Sequence, residues 1–454
     1  MRLFLFILFL FPLLASSQSF LIEKIEISGN KRTKPIIILR ELPFKQGDTL
    51  STNELSLFLK KSKENILNTS LFNFVDIDTI TTPTGTLNIN IKVVERWYFW
   101  PIPIFEQASR NINSWFYEKD YDKINYGLFF AKINFRGRNE LLRFVVRRGF
   151  REQYGFAYSN PGIGTKQKLG YELKYLYYRQ KKLAYTNFEN KPIDLFTNEY
   201  NYKNSTTSLS FTYRPKIYNW HFISASYNDH FLSDTLFSLN PFFIEDNKKS
   251  IQYFSAQYSF THDVRNSNYY PLKGYYIMGT VTKTGFGILK NEPDFITFNI
   301  KASKYYEILN RIYGSNAIQI EYSNRKTPSF IFSKEFGYGV FTKGMELYVI
   351  DGNGFSLINN SIKYQLVKPR IKQFKLLKAE KFSKFHYAFY TSINFDLGYV
   401  INETGMTVEH ANEFLYGYGI GLDFVTYYDI VLRVEASVNK FGKTGIFLHF
   451  NAPF

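Results

Sequence analysis

Few residues in this sequence have the types and spacing that catalysis needs. The segment Gly162-Ile163-Gly164-Thr165-Lys166 is glycine-rich and ends on a lysine, but it lacks the G-x-x-x-x-G-K-[ST] spacing of a phosphate-binding loop. No G-x-S-x-G elbow occurs, and none of the six histidines belongs to an HExxH pair. The absence of cysteine excludes thiolate metal sites, Fe–S clusters and cysteine nucleophiles. The sequence therefore predicts no enzyme, no cofactor and no metal site.

The composition is more informative than these motifs. The 454 residues carry a formal net charge of +17, and 19% of them are aromatic. Lysine and arginine are spread along the whole chain instead of being clustered in one arm or helix, which argues against nucleic acid as a partner. The aromatic share exceeds what an ordinary soluble core needs. We therefore expect an architecture that places aromatic rings at a boundary.

Residues 1–17 have the form of a secretory signal peptide. Arg2 supplies the positive start, an apolar run covers Leu3–Leu14, and the small residues Ala15, Ser16 and Ser17 follow. An N-terminal membrane anchor is the alternative, although the run is shorter than the ~20 residues that a spanning helix needs. No other apolar stretch reaches ~18 residues, so the exported chain is either soluble or crosses a membrane as a β-barrel.

Residues 21–95 mix strand and helix patterns. An alternating run near Ile25 precedes Pro35, which stands where a first helical turn accepts proline. Ser51-Thr52-Asn53-Glu54 has the form of a capping box, and apolar residues follow it at helical spacing. Two further alternating runs follow at Val75–Asp78 and Leu87–Val93. The order strand, helix, helix, strand, strand predicts a small α+β domain with both helices on one face of its sheet.

Residues 96–454 keep a period of two. In the run from Tyr253 to Phe260, apolar or aromatic side chains alternate with polar ones, as a strand between lipid and a wet lumen requires. A soluble β-sandwich would show the same alternation. Export and the aromatic excess, which two interfacial girdles would explain, favour an all-β transmembrane barrel. The alternating runs give about 14 to 16 antiparallel strands, and 16 is the number that we predict.

Several short sequence segments resemble those of a known family. Residues 21–95 resemble a POTRA domain through GNKRTKPIIILREL, GDTLSTNEL and NTSLFNFVDIDT, of which one copy is present. The segment 263–274 resembles a D-x-R-[DN]…P-x-x-G turn of the BamA/TamA family of outer-membrane assembly factors, with its bacterial surface antigen-type barrel. The residues that carry this turn motif are Asp263, Arg265, Asn266, Pro271 and Gly274. The resemblance covers essentially the whole mature chain.

The resemblance also directs attention to a loop. In the family, a long in-folded loop ends in an arginine-glycine-aromatic tip, and the arginine meets a glutamate and an aspartate on neighbouring strands. The matching place here reads Asp351-Gly352-Asn353-Gly354-Phe355, with Lys363 at the glutamate position and Asp396 as the second acid. This reversed order suggests that Lys363 lies between Asp351 and Asp396 and anchors the loop, because an unpaired buried acid is costly. The alternative is an ordinary glycine-rich turn.

The barrel seam is expected where the first strand, about Arg96–Glu106, meets the last, about Thr444–Phe454. The residues that define it are Pro101, Pro103, Phe450, Pro453 and Phe454. The aromatic end of the chain resembles the C-terminal signal of outer-membrane barrels. Each of the three prolines lacks a backbone donor, so the seam should hold fewer ladder bonds than other strand pairs. That these prolines only mark strand ends is equally compatible with the sequence.

The resemblance implies an outer-membrane assembly or translocation factor with its N-terminal domain in the periplasm. This domain would capture an unfolded client, and the seam would release it sideways. Expected partners are outer-membrane lipids and unfolded client proteins, with periplasmic chaperones or accessory lipoproteins as further candidates. Two other functions stay open: a passive pore with an accessory domain, and a dedicated secretion translocator for one partner protein.

Overall fold

A computed structural model describes residues 19–107, 124–149, 151–245, 247–373, 383–426 and 429–451. These residues form a four-stranded sheet with two helices, followed by a 16-stranded sheet. The expected signal peptide and the seam residues Pro453 and Phe454 lie outside the described ranges. No helix within these ranges is long and apolar enough to cross a membrane.

The N-terminal unit has the predicted α+β composition. Its elements are β1 (Ser19–Ser28), α1 (Pro35–Leu39), β2 (Thr49–Ser51), α2 (Thr52–Asn68), β3 (Phe72–Thr81) and β4 (Leu87–Glu95). The strand order is β2-β1-β4-β3, with β1 and β4 parallel. The capping box forms as expected, since the Ser51 side chain accepts the Glu54 amide and the Glu54 carboxylate accepts the Ser51 amide. Ile22, Ile66 and Ile89 are fully buried in the core between sheet and helices.

The rest of the described chain is mainly one antiparallel sheet. Its elements, with those of its loops, are β5 (Phe99–Gln107), β6 (Ile124–Phe135), β7 (Glu140–Gly149), β8 (Arg151–Ile163), β9 (Leu169–Gln180), β10 (Lys182–Phe188), β11 (Lys191–Phe196), β12 (Tyr202–Lys216), β13 (Asn219–Leu232), α3 (Asp234–Leu239), β14 (Ser250–Asp263), β15 (Gly274–Thr284), β16 (Phe295–Leu309), β17 (Ile312–Ser323), β18 (Lys334–Phe336), β19 (Ile350–Asp351), β20 (Gly354–Gln373), β21 (Lys384–Ile401), β22 (Phe414–Thr426), β23 (Val431–Asn439) and β24 (Thr444–Asn451). The hairpins β10–β11 and β18–β19 are separate two-stranded sheets.

The 16 remaining strands pair in chain order from β5 to β24, which confirms the predicted barrel architecture and strand number. Strands β5 and β24 are the two ends of this order, and no ladder between them is present in the described residues. Exposed apolar side chains such as Phe211, Ile223 and Ile420 cover the outside, whereas Asn228 and Ser259 are buried on the inside. An apolar outside and a polar inside are what a membrane barrel requires.

The connections between successive strands lie alternately at the two ends of the barrel. One end, called the domain side, has short turns that contact the N-terminal unit. The other, called the far side, carries the longer loops with α3, β10–β11 and β18–β19. Two buried apolar clusters lie in these far-side loops, one around Leu232, Leu236, Phe243 and Phe330, the other around Phe336, Met345, Ile350 and Leu415. The far-side loops therefore have cores of their own.

Candidate functional site

The segment predicted as the lumen anchor, Asp351–Phe355, lies at the far side, where the chain passes from β19 into the first residues of β20. Asp351 pairs with Lys334 in the β18–β19 hairpin, and its Oδ2 accepts a hydrogen bond of 2.6 Å from Asn187 Nδ2. Lys363 is nine residues beyond Gly354 on the continuous strand β20, which at ~3.3 Å per residue places it about 30 Å away. The predicted Asp351–Lys363–Asp396 arrangement is therefore wrong, because a single extended strand separates its first two members.

A different cation, Lys343, holds the loop in the lumen. Lys343 belongs to the segment 324–353 between β17 and β20, called the lumen loop. Its Nζ lies 3.0 Å from Oε2 of Glu435 on β23, a fully buried carboxylate. Its backbone N–H donates to the carboxylate of Asp396 on β21. One lysine of the loop thus meets a glutamate and an aspartate, the contacts that the family resemblance assigns to the arginine.

The glycine after Lys343 explains how close the loop comes to the wall. Gly344 has a φ of +75°, and a Cβ on this residue would lie 2.8 Å from the backbone nitrogen of Asn439. Asn439 Nδ2 in turn donates to the Gly344 carbonyl at 2.9 Å. The order of a basic residue followed by glycine is the sequence signal that would have found this site. Lys343-Gly344 preserves this order, whereas Asp351-Gly352 does not.

Lys363 is part of a second polar cluster in the lumen. Its Nζ lies 4.1 Å from the ring centroid of Tyr270, in a cation–π contact. The Tyr270 hydroxyl donates to Asp423 Oδ2 at 2.7 Å, and Arg433 binds the same carboxylate through two bonds of 2.6 and 2.9 Å. Tyr270 reaches this cluster from the turn between β14 and β15. The segment with the family turn motif therefore extends into the lumen.

The structure brings the turn-motif residues together on the domain side. Asp263 accepts two side-chain bonds of 2.8 and 2.6 Å from Arg265. Asn266 Oδ1 accepts the backbone N–H groups of Leu272 and Lys273, each at 3.0 Å, and these two residues follow Pro271. Gly274 has a φ of +99°, and a Cβ there would lie 2.3 Å from the Val264 carbonyl oxygen. Glycine is required at this position for both reasons.

The same turn contacts the N-terminal unit. Asn68, the last residue of α2, donates from Nδ2 to the Arg265 carbonyl at 3.3 Å and accepts the Asn268 amide at 3.2 Å. Ser70 donates to the Tyr269 hydroxyl at 3.1 Å. Adjacent tyrosines thus point to different partners, since Tyr269 meets the N-terminal unit and Tyr270 meets the lumen.

Three further turns complete a contact surface that we call the docking interface. Near the end of β12, beside the β12–β13 turn, Arg214 binds Glu41 through two bonds of 2.6 and 2.7 Å, and Arg40 binds the same carboxylate at 3.1 Å. All three side chains are largely buried, and burial lowers the pKa of Arg40 while Glu41 opposes that shift. The other contacts are Asn134 with Thr33 at 2.8 Å, the Lys34 amide with the Gly137 carbonyl at 2.9 Å, and Arg96 with Asp429 at 2.8 Å.

The hydrogen-bond pattern shows which edge of β5 carries the prolines. The Ile133 amide of β6 donates to the Tyr98 carbonyl, and these residues are opposite each other in the β5–β6 register. Even-numbered residues of β5 therefore face β6, and odd-numbered residues direct their backbone groups to the other edge. Pro101 and Pro103 are odd-numbered, so the donors that they lack are missing from the edge that faces away from β6.

The last strand has a corresponding outer edge. The Asn439 amide donates to the Lys443 carbonyl, so odd-numbered residues of β24 face β23. Ile446 and Phe450 direct their backbone groups away from β23, and their side chains are exposed. The β5 and β24 edges form the seam of the sheet, and β5 offers it fewer donors than a strand without proline would.

The geometry defines a class: an outer-membrane-type barrel with an in-folded loop and a small domain docked on its turns. Comparison with family models agrees. Residues 20–96 match the POTRA model described as "Surface antigen variable number repeat", and residues 134–426 match the Omp85 superfamily domain. The chain belongs to the Omp85 superfamily. Its members are outer-membrane assembly or translocation factors, not enzymes. An outer-membrane location and a role in assembly or translocation follow from this membership.

Solved structures support the fold. The chain is similar to BamA from Haemophilus ducreyi lacking POTRA domains 1–3, at 14% identity and a TM-score of 0.50, covering 95% of this chain and 84% of that one. It is also similar to CdiB from Escherichia coli, at 11% identity and a TM-score of 0.53, covering 95% of this chain and 75% of that one. No curated protein matches the sequence.

Proposed function

We propose that this chain inserts or exports client proteins at the outer membrane, with client capture at β3 and lateral release at the seam. The observation that carries the proposal is the outer edge of β5, where two prolines remove donors from one side of the strand. A strand pair with fewer ladder bonds separates at lower cost than its neighbours. The exposed edges can then pair with a client strand.

The capture step uses the edge of the small sheet. Strand β3 is an edge strand of ten residues, and its second half, from Asp76 to Thr81, is largely exposed. The Thr82 amide donates to Thr86, so even-numbered residues of β3 face β4 and Ile77 and Thr79 direct their amides outward. An extended client segment can add to this edge as a further strand.

In this proposal the N-terminal unit faces the periplasm, and outer-membrane lipids surround the exposed apolar face of the barrel. Unfolded clients reach β3 directly or from periplasmic chaperones or accessory lipoproteins. The passive-pore alternative has less support, because the lumen loop is fixed inside the barrel by Lys343 and the far-side loops carry two buried apolar clusters. A pore would need an open path through both regions.

A disulfide across the seam tests lateral release. The chain has no cysteine, so Pro103→Cys can be combined in turn with Ile446→Cys and Phe450→Cys without background. We expect oxidation to stop client insertion and reduction to restore it. The matched control is Leu209→Cys with Ala225→Cys, which are opposite each other in β12 and β13. Client insertion that continues with an oxidised seam would refute lateral release, and would favour passage through the lumen, as a dedicated secretion translocator requires.

A proline scan of β3 tests capture. Thr79→Pro removes an outward amide while leaving the bonds between β3 and β4 in place, so the small domain should fold. We expect client cross-linking to the N-terminal unit to fall, whereas Thr79→Val, which keeps the amide, should behave as the parent. Equal client cross-linking in both variants would rule out strand addition at this edge.

A further inference from the structure

Three side chains near the last strand form a cluster of possible metal ligands beside the contact between Lys343 and Glu435. Glu346 lies in the lumen loop, Glu435 on β23 and His449 on β24. One carboxylate oxygen or ring nitrogen from each lies within 4.8 Å of those from the other two. Both glutamates are fully buried, and His449 Nε2 is 3.6 Å from Glu346 Oε1. The three residues come from separate elements, which is why no sequence spacing indicated a metal site.

The cluster lies in a region rich in buried acids. Glu346, Glu435 and the nearby Asp396 are three buried carboxylates, and Lys343 contacts Glu435 through its ammonium group and Asp396 through its backbone N–H. Arg433, which is on the same strand as Glu435, is bound in a two-bond contact with a different carboxylate, that of Asp423. Burying carboxylates is costly unless positive charge lies beside them, so a divalent cation would stabilise the cluster.

Two possible ligand atoms of this cluster, Glu435 Oε1 and His449 Nε2, are buried without a normal hydrogen bond among the described residues. Lys343 and Asn394 both bond to Oε2 of Glu435, whereas Glu435 Oε1 is buried and has no hydrogen-bond partner among the described residues. His449 Nε2 is also buried and makes no hydrogen bond there beyond its long contact with Glu346. Buried polar atoms of this kind call for an explanation such as a bound ion.

We propose that Glu346, Glu435 and His449 bind a divalent transition-metal ion, with Zn²⁺ as the best match. Carboxylate oxygen and imidazole nitrogen are both zinc ligands, at about 2.0–2.2 Å, which places two ligands of a tetrahedron about 3.3 Å apart. The 3.6 Å between His449 and Glu346 is close to that separation. A lumen cavity of about 480 Å³, lined in part by Lys343, Asn394 and His449, supplies the entry path and room for a water at the fourth position.

The site would add a shared link between the lumen loop, β23 and β24 to the contacts that these parts already make, such as those of Lys343 and Gly344 with β23. The ion would connect the lumen loop to β23 and also to β24, the strand at the seam. Loss of the ion would leave β24 with its ladder to β23 and with the ring contact between His449 and Phe341 of the lumen loop. Metal binding is therefore a way to hold the end of the sheet in place, whichever client the protein serves.

Cobalt absorption tests the site in the full chain. The protein is purified in detergent, stripped with a chelator and titrated with Co²⁺, whose ligand-field bands report inner-sphere binding, and Zn²⁺ competition then gives the zinc affinity. We expect one equivalent to bind, and His449→Gln and Glu346→Gln each to weaken binding by at least ~10-fold, the smallest loss known for supporting residues of metal sites. Neither change removes the contact between Lys343 and Glu435.

The matched control is His410→Gln. His410 also lies beside two glutamates, at 2.7 Å from Glu413 and 3.5 Å from Glu409, but in a far-side loop. This variant should bind the ion as the parent does. No binding by the parent, binding that survives both His449→Gln and Glu346→Gln, or binding lost in His410→Gln would each overturn the proposal. Heat-modifiable migration in gel electrophoresis confirms that each variant is folded.

Discussion

Replacement of Glu41 by glutamine would test whether the docking interface fixes the N-terminal unit on the barrel. The Glu41 carboxylate binds Arg214 near the end of β12 and Arg40 from its own unit, and side-chain exposure is 4% for Glu41 and 11% for each arginine. Glu41→Gln would leave two arginines buried side by side with no acid between them. We expect the free-energy difference that favours the docked state over the undocked state to become much smaller.

The magnitude follows from burial. Removal of one partner from a buried ion pair costs about 3–5 kcal/mol, because the other charge stays buried without compensation. At ~1.4 kcal/mol per tenfold, the ratio of docked to undocked molecules should fall by roughly two to three and a half orders of magnitude. Replacing Arg214 as well should recover part of this loss, since the second change removes one of the two cations that are left buried without an acid.

Hydrogen exchange measures the effect. The Asn268 amide donates to Asn68 across the interface, so peptides that contain it should exchange faster in Glu41→Gln by the factor given above. The control is Glu26→Gln, which removes an exposed pair with Lys24 at 2.6 Å in the same unit and should leave the exchange of these peptides unchanged. A change of less than tenfold in Glu41→Gln, or an equal change in Glu26→Gln, would refute the reasoning that this buried contact holds the two units together.

Three other perturbations probe the lumen and the seam. Lys343→Ala should lower barrel stability by about 3–5 kcal/mol, measured as a shift in denaturant midpoint, because its glutamate partner stays buried, whereas Lys343→Arg should be tolerated. Pro101→Ala combined with Pro103→Ala should slow client insertion and hydrogen exchange in β24, since two donors return to the edge of β5. Tyr270→Phe should destabilise the lumen cluster by about 1.5–3 kcal/mol, as expected for a bond to a charged group, while Tyr269→Phe should affect only docking. Parent stability in Lys343→Ala would contradict the first expectation, and parent exchange in β24 of the double proline variant would contradict the second. Equal effects of Tyr270→Phe and Tyr269→Phe would contradict the third.

The fold class was predictable because it depends on local patterns. The alternation from Tyr253 to Phe260 lies within β14, and the capping box at Ser51 is where α2 begins. Each pattern is complete within one element, so no distant residue is needed to interpret it. The hairpin β10–β11 and helix α3 were not anticipated, because they form only when the far-side loops pack on one another.

The lumen anchor could not be found in the same way. Lys343 lies in a loop without periodicity, and its partner Glu435 is on a strand more than ninety positions later, counted from the two residue numbers. Asp351 stands before a glycine, as the family's anchor residue does, yet the chain there belongs to a hairpin with β18. The docking interface has the same character, since Glu41 and Arg214 are 173 positions apart. Contacts of this kind depend on strand register, which the sequence does not give.

The docking interface and the seam are linked by a continuous set of contacts. Asn68 of the N-terminal unit holds the β14–β15 turn, and Tyr270 of that turn bonds to Asp423 in the lumen. Asp423 is fixed in turn by Arg433 on β23, the strand to which β24 is bonded. A shift of the N-terminal unit would therefore act on the strand that supports one side of the seam. The proposed capture of clients at the small domain and their proposed release at the seam lie at different places in the molecule, and this set of contacts would connect them physically.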